Sequence, residues 1–373
     1  MTWLRIRELV RKEFIQLFRD KKNRPLLIIS PLIQLIVFGY VVTTDVRDIR
    51  VAMLDQSRTP ESRRLIDTID GNKTFRITHY IARPEDLDQL LLRRKVDLGV
   101  VIPPDFSSKI HKGDTADIQI LADGSMSNMA AVRISYTTAL LERFNSQLIR
   151  ELYPKRIDYG EIDGRIRTWY NPNLDSQYFY VPGIVAFLVM LLSLLFTSMA
   201  IVREKEAGTM EQLIVTPLKP FELILGKTIP FIIISQGQMI GVIAFAIAWF
   251  RVPMVGNAFL LLGATCIFLL STLGIGLFIS TISKTQQQAM MTNFFFILPF
   301  FMFSGFVFPI ANMPTVVQWL TYLNPLRYFL VIIRGIFLKG TGLEILWPQF
   351  LALIILGGIV FAGAVNRFQK RMD

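Results

Sequence analysis

Six stretches of this chain stay apolar for about 20 residues, the length a helix needs to cross about 30 Å of hydrocarbon. They lie at roughly 26 to 44, 181 to 202, 229 to 250, 257 to 282, 289 to 310 and 345 to 366. A soluble chain of 373 residues would divide into two or three domains, but 52% hydrophobic residues point to lipid as the solvent. The run at 26 to 44 follows a basic preamble too long for a signal peptide, and no A-x-A site follows it. It is therefore expected to stay as an anchor, with Pro25 at its start.

The formal net charge of +11 would suit a nucleic-acid binder, so its placement matters more than its total. Residues 45–177 hold 20 Lys and Arg against 20 Asp and Glu, and are neutral. The excess lies before the first run (Arg5, Arg7, Arg11, Lys12, Arg19, Lys21, Lys22, Arg24), in the loop after the second (Arg203, Lys205, Lys219, Lys227) and in the tail (Arg367, Lys370, Arg371). Positive segments stay inside the cell, which predicts an even number of spans with both termini in the cytoplasm. Membrane lipids, not nucleic acid, are the partners this pattern implies. The only cysteine, Cys266, falls within an apolar run and can form no intrachain disulfide.

This assigns 1–25 to a cytoplasmic amphipathic helix, 26–44 to the first transmembrane helix and 45–177 to an extracytoplasmic insert. Residues 178–366 carry the second to sixth transmembrane helices, with a cytoplasmic loop at 203–228 and an extracytoplasmic re-entrant hairpin at 311–344. A cytoplasmic tail, 367–373, follows. In the first segment Trp3, Ile6, Leu9, Val10, Phe14, Leu17 and Phe18 recur near one helical face, as in a helix lying on a membrane surface. The insert alternates strand patterns at 49–54, 75–79, 98–102 and 118–121 with helix openings at Thr59 to Glu61, at Pro84 to Asp86 and at Pro104. It ends in a long helix, 127–152. Such alternation predicts a small α/β domain. In the loop, Met210, Leu213 and Ile214 recur at helical spacing. The apolar stretches 316–323 and 326–338 are too short to cross, and Arg327 and Arg334 interrupt the second.

Several chemistries lack their residues. Gly226, Lys227 and Thr228 imitate the end of a phosphate-binding loop, but Phe221 stands where its first glycine belongs, so Lys227 is read as anchoring the start of a span. His79 and His111 have no metal-ligand spacing around them, and no nucleophile motif is present. Asp, Glu and His are nearly absent within the apolar runs, which disfavours ion-coupled transport. The polar exceptions, Gln34, Gln236, Gln238, Thr292 and Asn293, either line a pathway or hydrogen-bond helices together, and Gly237 with Gly241 forms a weak G-x-x-x-G pair.

The loop reads REKEAGTMEQLIVTPLKPFELILGK from Arg203 to Lys227. Together with RKEFIQLFRD from Arg11, Pro31 and Gly39, FSGFVFPIANMP from Phe303 and YLNPLRYFLVIIRGIFLKG from Tyr322, it resembles the ABC-2 type permease family. The branch is that of bacterial multidrug and daunorubicin-type exporters with a large extracytoplasmic domain. The resemblance implies an all-α membrane fold of six transmembrane helices, type V exporter-like, with the α/β domain inserted between helices 1 and 2. It also implies a bacterial inner-membrane location and two such subunits per transporter, identical or paralogous. Two separate cytoplasmic ATP-binding cassette subunits would hold ATP and Mg, leaving this chain without cofactor, metal or catalytic residue. Arg203, Glu204, Glu206, Gly208, Thr209 and Glu211 fall on the signature that docks into the ATP-binding subunit, with Met210 and Leu213 as its apolar patch. Lys12, Glu13, Phe14 and Arg19 fall on the N-terminal contact helix, and Pro314, Asn324, Pro325 and Tyr328 on the re-entrant hairpin. A periplasmic adaptor is a further expected partner. Two other readings stay open: a membrane-anchored extracytoplasmic binding or scaffold protein, and an ion-coupled carrier.

Overall fold

The structure is a computed structural model that describes residues 2–19, 23–41, 48–124, 127–152, 169–171, 175–208 and 220–369. The chain separates into two compact units, one formed by residues 1–43 with 167–373 and the other by residues 44–166.

In the 44–166 unit, β1 (Ile49–Asp55), α3 (Pro60–Asp70), β2 (Phe75–Tyr80), α4 (Pro84–Leu92), β3 (Leu98–Ile102), α5 (Phe106–Lys112), β4 (Gln119–Ala122) and α6 (Ser127–Leu152) follow in order. The sheet order is β2-β1-β3-β4, parallel except for the antiparallel pair of β3 and β4. Parallel neighbours need a crossover, and α3 and α4 supply it. Central β1 is apolar and buried from Val51 to Leu54 because helices cover both faces. Leu140, Phe144 and Leu148 of α6 pack on one face with α3 and α5, while Leu87 of α4 and Val96 close on Ala52 at the other. Thr59 caps α3 through a reciprocal capping box with Ser62, whose hydroxyl donates to Asp55 at 2.8 Å.

The other unit is a helical bundle: α1 (Thr2–Arg19), α2 (Asn23–Val41), α7 (Ser176–Glu206), α8 (Pro220–Phe250), α9 (Ala258–Ile282), α10 (Gln286–Met302), α11 (Thr315–Leu320), α12 (Pro325–Arg334) and α13 (Leu343–Gln369). Four described helices, α7, α8, α9 and α13, are long and apolar enough to cross a membrane. A fifth crossing would require counting 315–323 with 325–339 as one span, and these two pieces are bent by 82°. α2, Asn23–Val41, carries a shorter apolar helix at Ile29–Val41 among the described residues. The apolar run 289–310 is not one helix: α10 stops at Met302, and Gly305, at φ +84°, turns the chain toward Pro309. The unbroken run predicted there yields because Pro299 and Gly305 both oppose continuation of the helix.

Burial separates the central helices from the peripheral ones. Within the chain, 67% of the apolar window of α7 and 56% of that of α9 is buried, against 28% for α8 and 22% for α13. The outer two therefore present apolar surface to lipid or to another chain. Polar pairs fasten the centre: Ser193 of α7 donates to Thr272 of α9 at 3.0 Å, and Asn293 of α10 donates to Ser198 of α7.

Candidate functional site

At one end of the bundle α7 finishes, α8 begins, α9 finishes and α10 begins, and α1 lies across them. The close approach of α1 to α8 depends on Gly226, where a Cβ would come within 2.7 Å of the Leu9 Cβ. On α1, Ile6, Glu13 and Leu17 are buried, whereas Trp3, Leu4, Ile15 and Phe18 are exposed. The single apolar face expected from sequence thus divides, part packing on the bundle and part facing outward.

A buried ionic cluster occupies this junction. Lys12 Nζ of α1 lies 3.1 Å from Glu204 Oε1 of α7, Lys227 Nζ of α8 contacts Glu204 Oε2, and Lys227 also reaches Glu13 Oε1 at 3.3 Å. Glu13, Glu204 and Lys227 are each at most 5% exposed. Two cations face two carboxylates, so the cluster is neutral, the condition under which buried charge is tolerated. A second pair, Arg5 with Glu222 at 3.7 Å, joins α1 to the first turn of α8. Lys227, read from sequence as anchoring the start of a span, is buried by its neighbours beside two carboxylates.

The residues expected to dock a partner do not share one environment. Glu204 faces inward, and the basic partners it was expected to find in another subunit are found within its own chain. Glu206 is exposed and accepts from both the backbone and side-chain N–H groups of Gln286, tying the end of α7 to the start of α10. Lys205 donates to the Ser280 carbonyl near the end of α9. Arg203 is half-buried. Gly208, at φ +70° and with nothing within 4 Å of an added Cβ among the described residues, follows the helix in a conformation that glycine adopts without strain. Thr209, Met210, Glu211 and Leu213 lie outside the described residues.

On α1, Lys12 and Glu13 belong to the cluster, Phe14 stacks on Phe18 at 6.3 Å between centroids, and Arg19 is exposed. The polar residues of the apolar runs are scattered. Gln236 Nε2 donates to the Leu262 carbonyl at 2.9 Å, and Thr292 Oγ1 to its own helix at Gln288. Asn293 joins α7 as described, while Gln34 Oε1 and Gln238 Nε2 are buried without a hydrogen-bond partner among the described residues. Gln238 lines a crevice with Phe14, Gly237 and Gly241. Among the described residues no hydrogen bond joins any two of these five.

The hairpin residues sit at the opposite end of the bundle, where α10 finishes and α7 starts. Pro314 precedes α11. Asn324 caps α12 by accepting from Leu326 N at 3.0 Å and donates to the Phe300 carbonyl at 2.7 Å, so it holds the 82° bend against α10. Pro325 opens α12, and Tyr328 Oη donates to the Tyr322 carbonyl at 2.9 Å. Arg334 stacks on Phe179 at 3.7 Å and donates to its carbonyl at 3.3 Å.

Sequence reasoning missed Lys227, Glu222, Arg5 and Gln286 as members of the junction. A signal existed: Glu222 and Lys227 flank apolar Leu223 to Leu225 in a span-opening helix, a charge placement that needs partners.

Comparison with known proteins supplies the family. Residues 25–365 match the family model described as ABC-2 family transporter protein. Two Escherichia coli proteins, named probable multidrug ABC transporter permeases YbhR and YbhS, are 32% and 33% identical to the chain. The alignments cover 99% of both chains for YbhR, and 100% of this chain and 99% of the relative for YbhS. The Escherichia coli inner membrane transport permease YhhJ is 27% identical over 94% of this chain and 95% of its own. With its apolar helices and this match along nearly all its length, the chain is a multi-pass membrane permease of the ABC-2 transporter family.

Proposed function

We propose that the chain is the membrane subunit of an ATP-driven exporter, and that the α1–α7–α8 junction carries force from an ATP-binding cassette subunit to the helices. The observation that carries this reading is the Lys12–Glu204–Lys227–Glu13 cluster. It binds the end of the most buried helix, α7, to the surface helix α1 and to α8, with the loop from Thr209 to Lys219 between α7 and α8. A push on that loop displaces three helices together, because breaking a buried ion pair costs about 3–5 kcal/mol.

In this reading Glu206 and Gly208, with Thr209, Met210, Glu211 and Leu213, meet the groove of the ATP-binding subunit, while Glu204 acts from inside as the link and Arg203 lines the crevice beside α1. An exposed carboxylate at Glu206 beside an apolar patch suits an interface with an apolar centre and a charged rim. ATP and Mg bind to the partner, and this chain does no chemistry. A second permease subunit, identical or paralogous, covers one of the little-buried faces of α8 and α13. Six helices cross the bacterial inner membrane (α2, α7, α8, α9, α10 and α13), α11 and α12 form a re-entrant hairpin, and both termini lie in the cytoplasm. The 44–166 unit then faces the periplasm, where an adaptor protein can meet it. The cargo is an amphipathic molecule, drug-like or lipid, moved by alternating access.

The test is co-expression with a candidate ATP-binding subunit, reading copurification, ATPase activity and transport together. Stimulated ATPase activity and ATP-dependent export support the proposal; transport driven by a proton gradient in the absence of ATP overturns it.

A further inference from the structure

Beside the ionic cluster, α1 and α7 leave a crevice that the cluster does not fill. Its inner part is a slot of about 310 Å³ walled by Leu17, Leu192, Phe196, Ala200, Phe231 and Met290, with Glu13, which Lys227 neutralises, as its carboxylate, at the small end of the ~300–1,000 Å³ range of ligand sites. Its outer part is a shallow vestibule of about 670 Å³ lined by Arg11, Lys12, Arg19 and Arg203, with Glu8 as the one carboxylate among the described residues. Gln16 and Arg203 line both parts, so the two are continuous.

The charges are not all matched. Lys12 pairs with Glu204 and Arg11 with Glu8 at 3.8 Å, whereas Arg19 and Arg203 have no carboxylate partner among the described residues. A largely apolar slot that meets Arg203 at its polar end, with Arg19 in the adjoining vestibule where apolar α7 runs out, matches a molecule with one chain in hydrocarbon and an anionic head at the interface. Arginine forks recognise phosphate oxygens, and each basic residue near an anionic lipid surface contributes about 1 kcal/mol. Zwitterionic headgroups lack the net charge to use both.

We propose that this crevice binds one anionic phospholipid of the adjacent leaflet, its phosphate between Arg19 and Arg203 and one acyl chain in the slot beside Ala200. The inference rests on α1 lying at the membrane surface but not on the coupling role, since the lipid is bound whether or not an ATP-binding subunit is present.

The experiment is native mass spectrometry of the full-length permease in detergent, titrated with dioleoylphosphatidylglycerol or with dioleoylphosphatidylcholine. Wild type should retain one phosphatidylglycerol about 30-fold more tightly than phosphatidylcholine, from two arginines at the headgroup. R19A/R203A should bind both equally, and R19K/R203K should keep most of the preference. Ala200→Phe, which fills the slot and keeps both arginines, should weaken retention of the phosphatidylglycerol. Equal retention of both lipids by wild type, or an unchanged preference in R19A/R203A, overturns the proposal. If R19A/R203A does not yield intact protein, Ala200→Phe decides, and unaltered retention there counts against it. Dodecyl phosphate tests a free single-chain amphiphile: binding tighter than phosphatidylglycerol marks a cargo site and overturns the phospholipid assignment. Displacement of the lipid by added ATP-binding subunit shows that the basic face belongs to that protein, and also overturns it.

Discussion

Lys12 reaches Glu204 across 3.1 Å although 192 residues separate them in the chain, and Lys227 closes the same carboxylate from the other side. The pairing makes the surface helix, the end of α7 and the start of α8 one mechanical piece. It also separates the two described carboxylates at the end of α7, since Glu204 is enclosed by lysines and Glu206 is at the surface.

Lys227→Met should therefore be far more damaging than its position near a helix end suggests. It leaves Glu13 and Glu204 buried with Lys12 alone, at a cost of about 3–5 kcal/mol. Thermal unfolding of purified protein should show a large fall in Tm, and adding Glu204→Gln to Lys227→Met should recover part of it. Single and double variants that simply add would show that the two groups do not interact.

Glu206→Lys should leave assembly in the membrane intact, because Glu206 is exposed and, among the described residues, its side chain bonds to Gln286 alone. Copurification of the ATP-binding subunit and export should both fall, like charge now facing a basic rim. Retained copurification and ATPase activity with export lost would place the role of this carboxylate elsewhere.

Gly208→Ala should cost about 1 kcal/mol through its left-handed φ, since nothing among the described residues crowds the position. Gly208→Asn should cost less, asparagine tolerating that conformation better than alanine. ATPase activity that no longer responds to cargo, at normal subunit binding, is the expected signature. Identical behaviour of both variants and wild type would show that the turn does not need that angle.

In the 44–166 unit, Asp97 holds Arg50 of β1 at 3.0 Å and Arg133 of α6 at 2.9 Å. Burial works against the Asp97 carboxylate but is outweighed by the Arg50 side-chain and backbone N–H groups and by the Arg133 charge, so its pKa lies below the ordinary aspartate value. Glu61 is also held low, first by the Ser107 hydroxyl. A depressed carboxylate contributes stability above its unfolded pKa, near 4, and loses it as pH falls through the folded value. The unit should hold its stability from pH 7 to about 5 and lose it below about 4. Asp97→Asn should cost about 2 kcal/mol at pH 7 and flatten the acid limb. Thermal melts of the wild-type and variant proteins across that range provide the check, and parallel acid limbs would contradict it.

With Cys266 replaced, a single cysteine at Lys339 should react with an impermeant maleimide in intact cells, and one at Lys284 should not. The two sites lie at opposite ends of the bundle. Lys339 closes the hairpin segment, whereas Lys284 follows α9 beside the Glu206–Gln286 contact. Labelling at Lys284 from outside would invert the topology.

What the sequence by itself determined is the part of this protein that depends on local pattern. Runs of apolar residues marked α7, α8, α9 and α13, because no other arrangement hides 20 such residues from water. Alternating patterns and Pro or Thr openings located β1 to β4, α3 and α4 to within about two residues, because pleat and caps are read from neighbours in the chain. The motif from Arg203 to Lys227 pointed to the family for the same reason: its residues are contiguous. Tertiary structure decided what depends on which distant residues meet. The paired signs of Lys12, Glu13, Glu204 and Lys227 are visible in the sequence, but burial converts Glu204 from a surface carboxylate into an internal link and Lys227 from an anchor into its counter-ion. The 82° bend at Asn324 and the early end of α10 at Met302 rest on the same footing. The Phe300 carbonyl that holds Asn324 is 24 residues away, and no periodicity carries a contact over that distance.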